Sequence, residues 1–160
     1  MKTKSLGFIG GGRITRILLQ AFANKKAIFD SISVFDTNQE TLQALKLQFP
    51  YIQVISSAAE AAAKDVVFLA VHPPLVMDTL EKIKSAVNEQ TIFISLAPKI
   101  TIIRMAAVLP INQIIRLIPS ATSVINHGYN PVCFASGMSE IQKWYILEML
   151  NLFGHTFETA

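Results

Sequence analysis

An α/β fold is predicted, with a doubly wound, mostly parallel sheet and helices on both of its faces. Three observations predict it. Short apolar runs alternate along the chain with amphipathic stretches of helical period, the pattern of strands joined by crossover helices. One run, Val66-Val67-Phe68-Leu69-Ala70-Val71, is apolar without alternation, as a central strand covered on both faces requires. A glycine cluster, Gly10-Gly11-Gly12, stands between the first apolar run and the first amphipathic stretch.

In chain order, the first strand is read as residues 5–10. A helix begins near Arg13, because Ile14, Ile17, Leu18, Ala21 and Phe22 recur at helical spacing with Arg16, Gln20 and Asn24 opposite. The second strand covers 32–35. Thr37 with Glu40 forms the signature of a capping box, opening a helix that buries Leu42, Leu45 and Phe49 and stops at Pro50. A third strand at 52–55 is followed by a second box, Ser57 with Glu60, and a short Ala-rich helix. The fourth strand is 66–71. Pro73 and Pro74 lead into a helix with Val76, Leu80, Ile83 and Val87 along one side. A fifth strand at 91–96, a helix at 101–109 and a sixth strand at 113–118, stopped by Pro119, complete the alternation. A further strand is placed near 132–135 and a final helix from about Ser139 to Phe153. In that helix Ile141, Trp144, Tyr145, Leu147, Met149, Leu150, Leu152 and Phe153 cover more than half the circumference. A helix apolar nearly all round needs a second neighbour besides the sheet, so self-association through 139–153 is expected.

The 160 residues suit one domain, with residues 1–154 as the unit and 155–160 as the start of a connection to a second one. Hydrophobic residues make up 51% and charged residues 16%. That charged share is low against about 25% for ordinary domains, which fits a buried sheet and an apolar face turned to a partner. The net charge of +3 is scattered, and no aromatic residues interleave with a basic stripe, so nucleic acid is not an expected partner. A single cysteine, Cys133, allows no internal disulfide, and no metal-type Cys/His spacing occurs. Met1-Lys2-Thr3-Lys4 begins like a charged leader, but Gly7 and the glycine cluster break the apolar run behind it. No segment approaches the ~20 apolar residues of a membrane span. A cytoplasmic protein without membrane partner is expected.

The strand–glycine–helix order gives Gly10-Gly11-Gly12-Arg13-Ile14-Thr15 a specific meaning, the dinucleotide fingerprint of a Rossmann-type fold. Gly10 permits the tight turn, Gly12 lets backbone approach a pyrophosphate, and the helix start at Arg13 and Ile14 favours its charge. Thr15 takes the third position, where Gly or Ala is usual, which is expected to set the helix slightly farther from the strand. Asp36 and Thr37 end the second strand, where such folds read the adenosine ribose. A carboxylate there accepts from the ribose hydroxyls and repels a 2′-phosphate, which favours NAD over NADP. Arg13 argues the other way, because a guanidinium pairs with a 2′-phosphate. An N-cap role for Asp36 is compatible with either.

Several segments resemble pyrroline-5-carboxylate reductase. Leu6-Gly7-Phe8-Ile9-Gly10-Gly11-Gly12 is similar to that family's opening G-F-I-G-x-G, and Phe68-Leu69-Ala70-Val71-His72-Pro73 to its A-V-K-P segment. Ile94-Ser95-Leu96-Ala97 is similar to S-I-A-A, and Arg116-Leu117-Ile118-Pro119-Ser120-Ala121-Thr122 to R-x-M-P-N-T-P. Leu152-Phe153-Gly154 and Glu158 resemble the closing turn of the nucleotide domain. Departures stand beside these matches. His72 replaces Lys, Ser120-Ala121 replaces Asn-Thr, and Pro98-Lys99 replaces a small residue and Gly. The family's helical second domain, which forms its dimer and holds the substrate carboxylate, has no counterpart in the sequence.

The resemblance implies hydride transfer to the C=N carbon of 1-pyrroline-5-carboxylate, a small imino acid, to give proline. With ligands beyond the C-terminal strand ends, Ala70, Val71, His72, Pro73, Ala97, Pro98, Pro119, Ser120, Ala121 and Thr122 are expected around the ribose and nicotinamide. No catalytic residue is assigned. An imidazole such as that of His72 suits acid–base work, but the residue also reads as a loop histidine before two prolines with no chemical task. Ser120 and Thr122 suit turn chemistry as well as ligand contact. A non-catalytic nucleotide-binding paralogue is the competing expectation, supported by the altered motifs.

Overall fold

The computed structural model describes residues 3–160, so Met1 and Lys2 of the leader-like segment lie outside the described residues. Eight strands form one sheet: β1 (Ser5–Ile9), β2 (Ser31–Phe35), β3 (Gln53–Val54), β4 (Val66–Leu69), β5 (Ile92–Ser95), β6 (Ile114–Leu117), β7 (Gly128–Phe134) and β8 (Gly154–Glu158). Six α-helices accompany them: α1 (Arg13–Asn24), α2 (Gln39–Gln48), α3 (Ala58–Ala62), α4 (Pro73–Ile83), α5 (Ile102–Ala106) and α6 (Glu140–Leu150). The strand order is β3-β2-β1-β4-β5-β6-β7-β8. The first six strands run parallel, β7 is antiparallel to β6, and β8 is parallel to β7. The order reverses between β1 and β4, and that switch point is where open α/β sheets bind ligands.

The period-two alternation of strand side chains divides the core into two layers. Leu6 and Phe8, Val66 and Phe68, Ile92 and Ile94, and Ile115 and Leu117 face one layer, where they meet Leu18 and Phe22 of α1, Leu42 and Leu45 of α2, and Ile146 and Leu150 of α6. Ile9, Val67, Leu69, Phe93 and Ile114 face the other, against Ala61 and Ala62 of α3, Val76, Leu80 and Ile83 of α4, and Met105 of α5. Phe8 stacks on Phe68 with ring centroids 4.8 Å apart, so the aromatic pair spans the switch point itself. On the opposite layer α3 lies so close to β1 that the Ala61 carbonyl occupies the place of a Cβ at Gly7; only glycine fits there.

The alternation of elements agrees with the sequence pattern, and the differences have local causes. Helix α2 is capped by Asn38, whose Oδ1 accepts from the Glu40 and Thr41 N–H groups, and not by Thr37. The cause is Asp36, whose carboxylate accepts the Asn38 N–H at 2.8 Å and so holds the chain in a turn for one residue more. Ser57 caps α3 as expected, but the Glu60 carboxylate accepts from the hydroxyls of Ser56 and Ser57. Thr15 is fully buried, and its hydroxyl donates to the Gly10 carbonyl at 2.6 Å, a contact that draws helix and turn together.

The C-terminal part differs most. The α6 helix ends at Leu150 and tightens into a 3-10 turn, Asn151–Phe153, before the chain re-enters the sheet as β8. Residues 155–158 of the segment 155–160, read from the sequence as the start of a connection, therefore pair in the sheet as part of β8. Its Thr156 hydroxyl donates to the Leu150 carbonyl, and its Thr156 N–H donates to Asn151 Oδ1. Strand β7 extends four residues further toward its N-terminus than the apolar run 132–135 suggested, and it includes buried Asn130. Asn126 precedes it in a left-handed conformation, and its Nδ2 donates to the carbonyls of Ala21 and Leu152. This one side chain ties the end of α1 to the turn after α6. Within α6, Ile146 and Leu150 are buried, whereas Ile141 is 82% and Trp144 59% exposed.

Candidate functional site

The C-terminal ends of β1, β2, β4, β5 and β6 open on one cleft of about 1140 Å³. Its centre is the switch point, where the Gly10 N–H donates to the Phe35 carbonyl and the Ala70 N–H donates to the Ile9 carbonyl, both at 2.8 Å. Gly10, Gly12, Arg13 and Ile14 line it from the first turn, and Asp36 and Thr37 from the end of β2. Ala70, Val71, His72 and Pro73 line it from the end of β4, and Ala97, Pro98 and Pro119 from the ends of β5 and β6. Ser120 and Thr122, offered by the sequence as ligand contacts, do not line the cleft, although Ala121 between them does. The Ser120 hydroxyl accepts the Tyr129 N–H at 3.0 Å and lies 3.3 Å from Asn130 Oδ1, so it serves the turn into β7.

The glycines divide the work at the turn. Gly10 has φ +105° and a Cβ there would collide with the Ala70 carbonyl, a backbone state open to glycine at little cost. Gly12 has an ordinary extended φ of −76° as the N-cap of α1, and a Cβ there would meet nothing within 4 Å. The space it would enter is the cleft. Gly12 offers no side-chain acceptor to the first turn of α1, whose N–H groups have no intrahelical partners. A backbone cradle with free donors and open space above it fits the pyrophosphate of a dinucleotide.

Asp36 does more than end a strand. Its Oδ2 accepts the Gly11 N–H at 2.7 Å and its Oδ1 accepts the Asn38 N–H. The carboxylate thereby fixes the glycine turn relative to the β2–α2 loop, and the residue itself lines the cleft. His72 is the exposed N-cap of α4; no hydrogen bond from its side chain caps the helix. Its extended backbone follows from the proline after it.

Sequence reasoning missed one wall. Asn38 and Thr41 at the cap and first turn of α2, Ser56 and Ser57 between β3 and α3, Ala58 and Ala59 at the start of α3, and Leu75, Asp78, Thr79 and Lys82 of α4 also line the cleft. Ser56 and Ser57 were within reach of the strand-end rule that found the other loops. The α4 residues carry no signal of their own, because their facing depends on how α4 packs over the sheet.

A doubly wound sheet with a glycine-lined cleft at its switch point defines a Rossmann-type nucleotide-binding domain. The chain belongs to the family described as coenzyme F420-dependent NADP oxidoreductase, whose model matches residues 5–99. It is similar to pyrroline-5-carboxylate reductase of Escherichia coli, at 28% identity over 94% of this chain and 57% of that protein. The crystal structure of Plasmodium falciparum pyrroline carboxylate reductase with NADP bound superposes on the whole chain and 59% of its own length, at 21% identity and a TM-score of 0.85. The corresponding enzyme of Coxiella burnetii does so over 60% of its length, at 23% identity and a TM-score of 0.84. The chain thus spans somewhat over half the length of these relatives. Among its described residues no helix is long and apolar enough to cross a membrane.

Proposed function

We propose that this chain is the cofactor-binding part of an NAD(P)H-dependent reductase of the pyrroline-5-carboxylate type. The observation that carries the reading is the single cleft that gathers the glycine turn, Asp36 and the β4, β5 and β6 strand ends on one side of the sheet. When bound, a nicotinamide dinucleotide supplies a hydride, and the acceptor of that hydride is the C=N carbon of a small imino acid. The chain's own residues bind, orient and shield. Gly10, Gly12, Arg13 and Ile14 take the pyrophosphate, and Asp36 and Thr37 meet the adenosine ribose. Ala70, Val71, His72, Pro73, Ala97 and Pro119 surround the nicotinamide end. Asp36 supports NAD, since its free lone pairs suit a ribose diol; the NADP bound in the Plasmodium relative supports the phosphorylated cofactor.

The residues that hold the imino acid are proposed to lie in a second domain, consistent with the greater length of the relatives. The exposed Ile141 and Trp144 support pairing of two copies through 139–153, and the reading places the protein in the cytoplasm. A second reading, a nucleotide-sensing module without catalysis, is favoured by His72 in place of Lys and by Ser120 turned into the wall. Calorimetric titration with NADH and NADPH, followed by an assay for proline from pyrroline-5-carboxylate, tests both. Binding with turnover in the presence of the second domain supports the reductase. Binding without turnover there supports the module, and absence of binding overturns both.

A further inference from the structure

A second, smaller cavity of about 260 Å³ lies on the far side of the glycine turn, between α1 and α2. Arg13, Arg16, Thr41, Ala44 and Gln48 line it, with Gly11 and Gly12 along its rim. Gly12, Arg13 and Thr41 also line the large cleft, so these residues stand between the two spaces. No acidic residue lines the small cavity. Arg13 and Arg16 stand one turn apart on α1, and neither forms a salt bridge with another described residue. Like charges at this spacing repel, and cations near a helix N-terminus oppose its dipole. Both costs reverse once an anion sits between the two guanidinium groups.

We propose that this cavity receives the 2′-phosphate of NADP, with Arg16 as the residue that discriminates the phosphorylated cofactor and Arg13 bridging it to the pyrophosphate turn. The proposal rests on the reading that the cleft binds a nicotinamide dinucleotide. Asp36 does not exclude this cofactor. Each of its oxygens already accepts a backbone N–H, from Gly11 and from Asn38, and the phosphate is received on the α1 side of Gly11. Planar guanidinium groups suit a phosphate monoester, whose oxygens accept paired hydrogen bonds. The site therefore serves both dinucleotides, the ribose diol meeting Asp36 and the phosphate meeting the arginines.

The test is titration of the full chain with NADPH, NADH, 2′,5′-ADP and 5′-AMP, in wild type and in the variants Arg16→Met and Ala44→Glu. Ala44 is exposed on α2, so a carboxylate there places a like charge in the cavity without touching the core. Wild type is expected to bind NADPH at least as tightly as NADH, and 2′,5′-ADP more tightly than 5′-AMP. In both variants the ratio of NADPH to NADH affinity should fall by about ten- to a hundredfold, the worth of a charged hydrogen bond. Circular dichroism confirms that the variants fold. A ratio unmoved in both, or wild type preferring NADH tenfold, overturns the assignment of the cavity. Failure of wild type to bind any dinucleotide instead overturns the reading on which it rests.

Discussion

Gly12 and Gly10 sit two residues apart, yet a side chain at each meets different surroundings. At Gly12 the backbone is ordinary and the Cβ direction is open. Gly12→Val should therefore leave the melting temperature unchanged and abolish dinucleotide binding by filling the space above the turn. Undiminished affinity in calorimetry would show that the pyrophosphate lies elsewhere. At Gly10 the left-handed φ and the Ala70 carbonyl oppose any side chain. Gly10→Ala should destabilise the fold by about 1–3 kcal/mol, read as a lowered midpoint in urea. Asp36 combines the two kinds of role. Replacing it with Ala leaves the Gly11 and Asn38 N–H groups without their acceptor, and hydrogen bonds to a charged group contribute about 1.5–3 kcal/mol each. The half-buried position tempers this, so a loss of about 2 kcal/mol in stability is expected together with weaker binding of both dinucleotides. A variant as stable as wild type would show that the carboxylate acts on the ligand alone.

Among the elements, α6 provides the sharpest test. Ile146 and Leu150 face the core, whereas Ile141 and Trp144 stand in solvent. Ile146→Ala should cost about 2–5 kcal/mol as a core truncation. Ile141→Glu with Trp144→Ala should leave the unfolding midpoint unchanged and convert any self-associated chain to monomer in light scattering. A wild-type chain that is monomeric at all concentrations would remove this face as an interface. The same helix shows what the sequence made legible. Its apolar content and its start near Ser139 were readable, whereas the capping box of Ser139 with Gln142 and the end at Leu150 came from the structure. That Ile146 and Leu150 are the residues it buries fully was not, since an evenly apolar helix carries no preferred face. Strand β8 was hidden for a related reason. Gly154-His155-Thr156-Phe157-Glu158 reads as a linker, and its strand state depends on tertiary pairing with β7. The cleft was legible wherever a loop follows a strand and illegible along α4, where only the tertiary packing turns Asp78 and Lys82 toward it. The cap of α2 moved by one residue because Asn38 competed with Thr37, and the choice was made by a carboxylate that the capping rule does not consider.

At the scale of the whole molecule, the chain alone should form no more than trace proline from pyrroline-5-carboxylate and NADH or NADPH. Positioning of reactants accounts for about 7–11 kcal/mol of barrier lowering in such reactions, and no residue of the cleft is identified as a clamp for the imino acid. Turnover of tens per second in a kinetic assay would mean that a complete active site lies within these 160 residues. Alkaline conditions give a separate check. The Lys143 ammonium is held above its ordinary value of 10.5 by its hydrogen bond to Glu158, and burial raises Tyr51 and Tyr145 above 10.0. Each group keeps its proton more firmly in the folded chain, so the unfolded chain releases protons first as pH rises. Stability should be flat through neutral pH and decline above about pH 10; a rise there, in urea melts, would contradict the Lys143–Glu158 bridge. The switch point has one more consequence. Strand β1 pairs with β2 on one side and with β4, some 60 positions later in sequence, on the other. The floor of the cleft is therefore a long-range closure of the chain, and a dinucleotide bound there would lie across that seam. Ligand will then act as a kinetic clasp: it slows parting of the two half-sheets, and the Ala70 amide, which donates to Ile9 across the seam, becomes the exchange probe most sensitive to its presence.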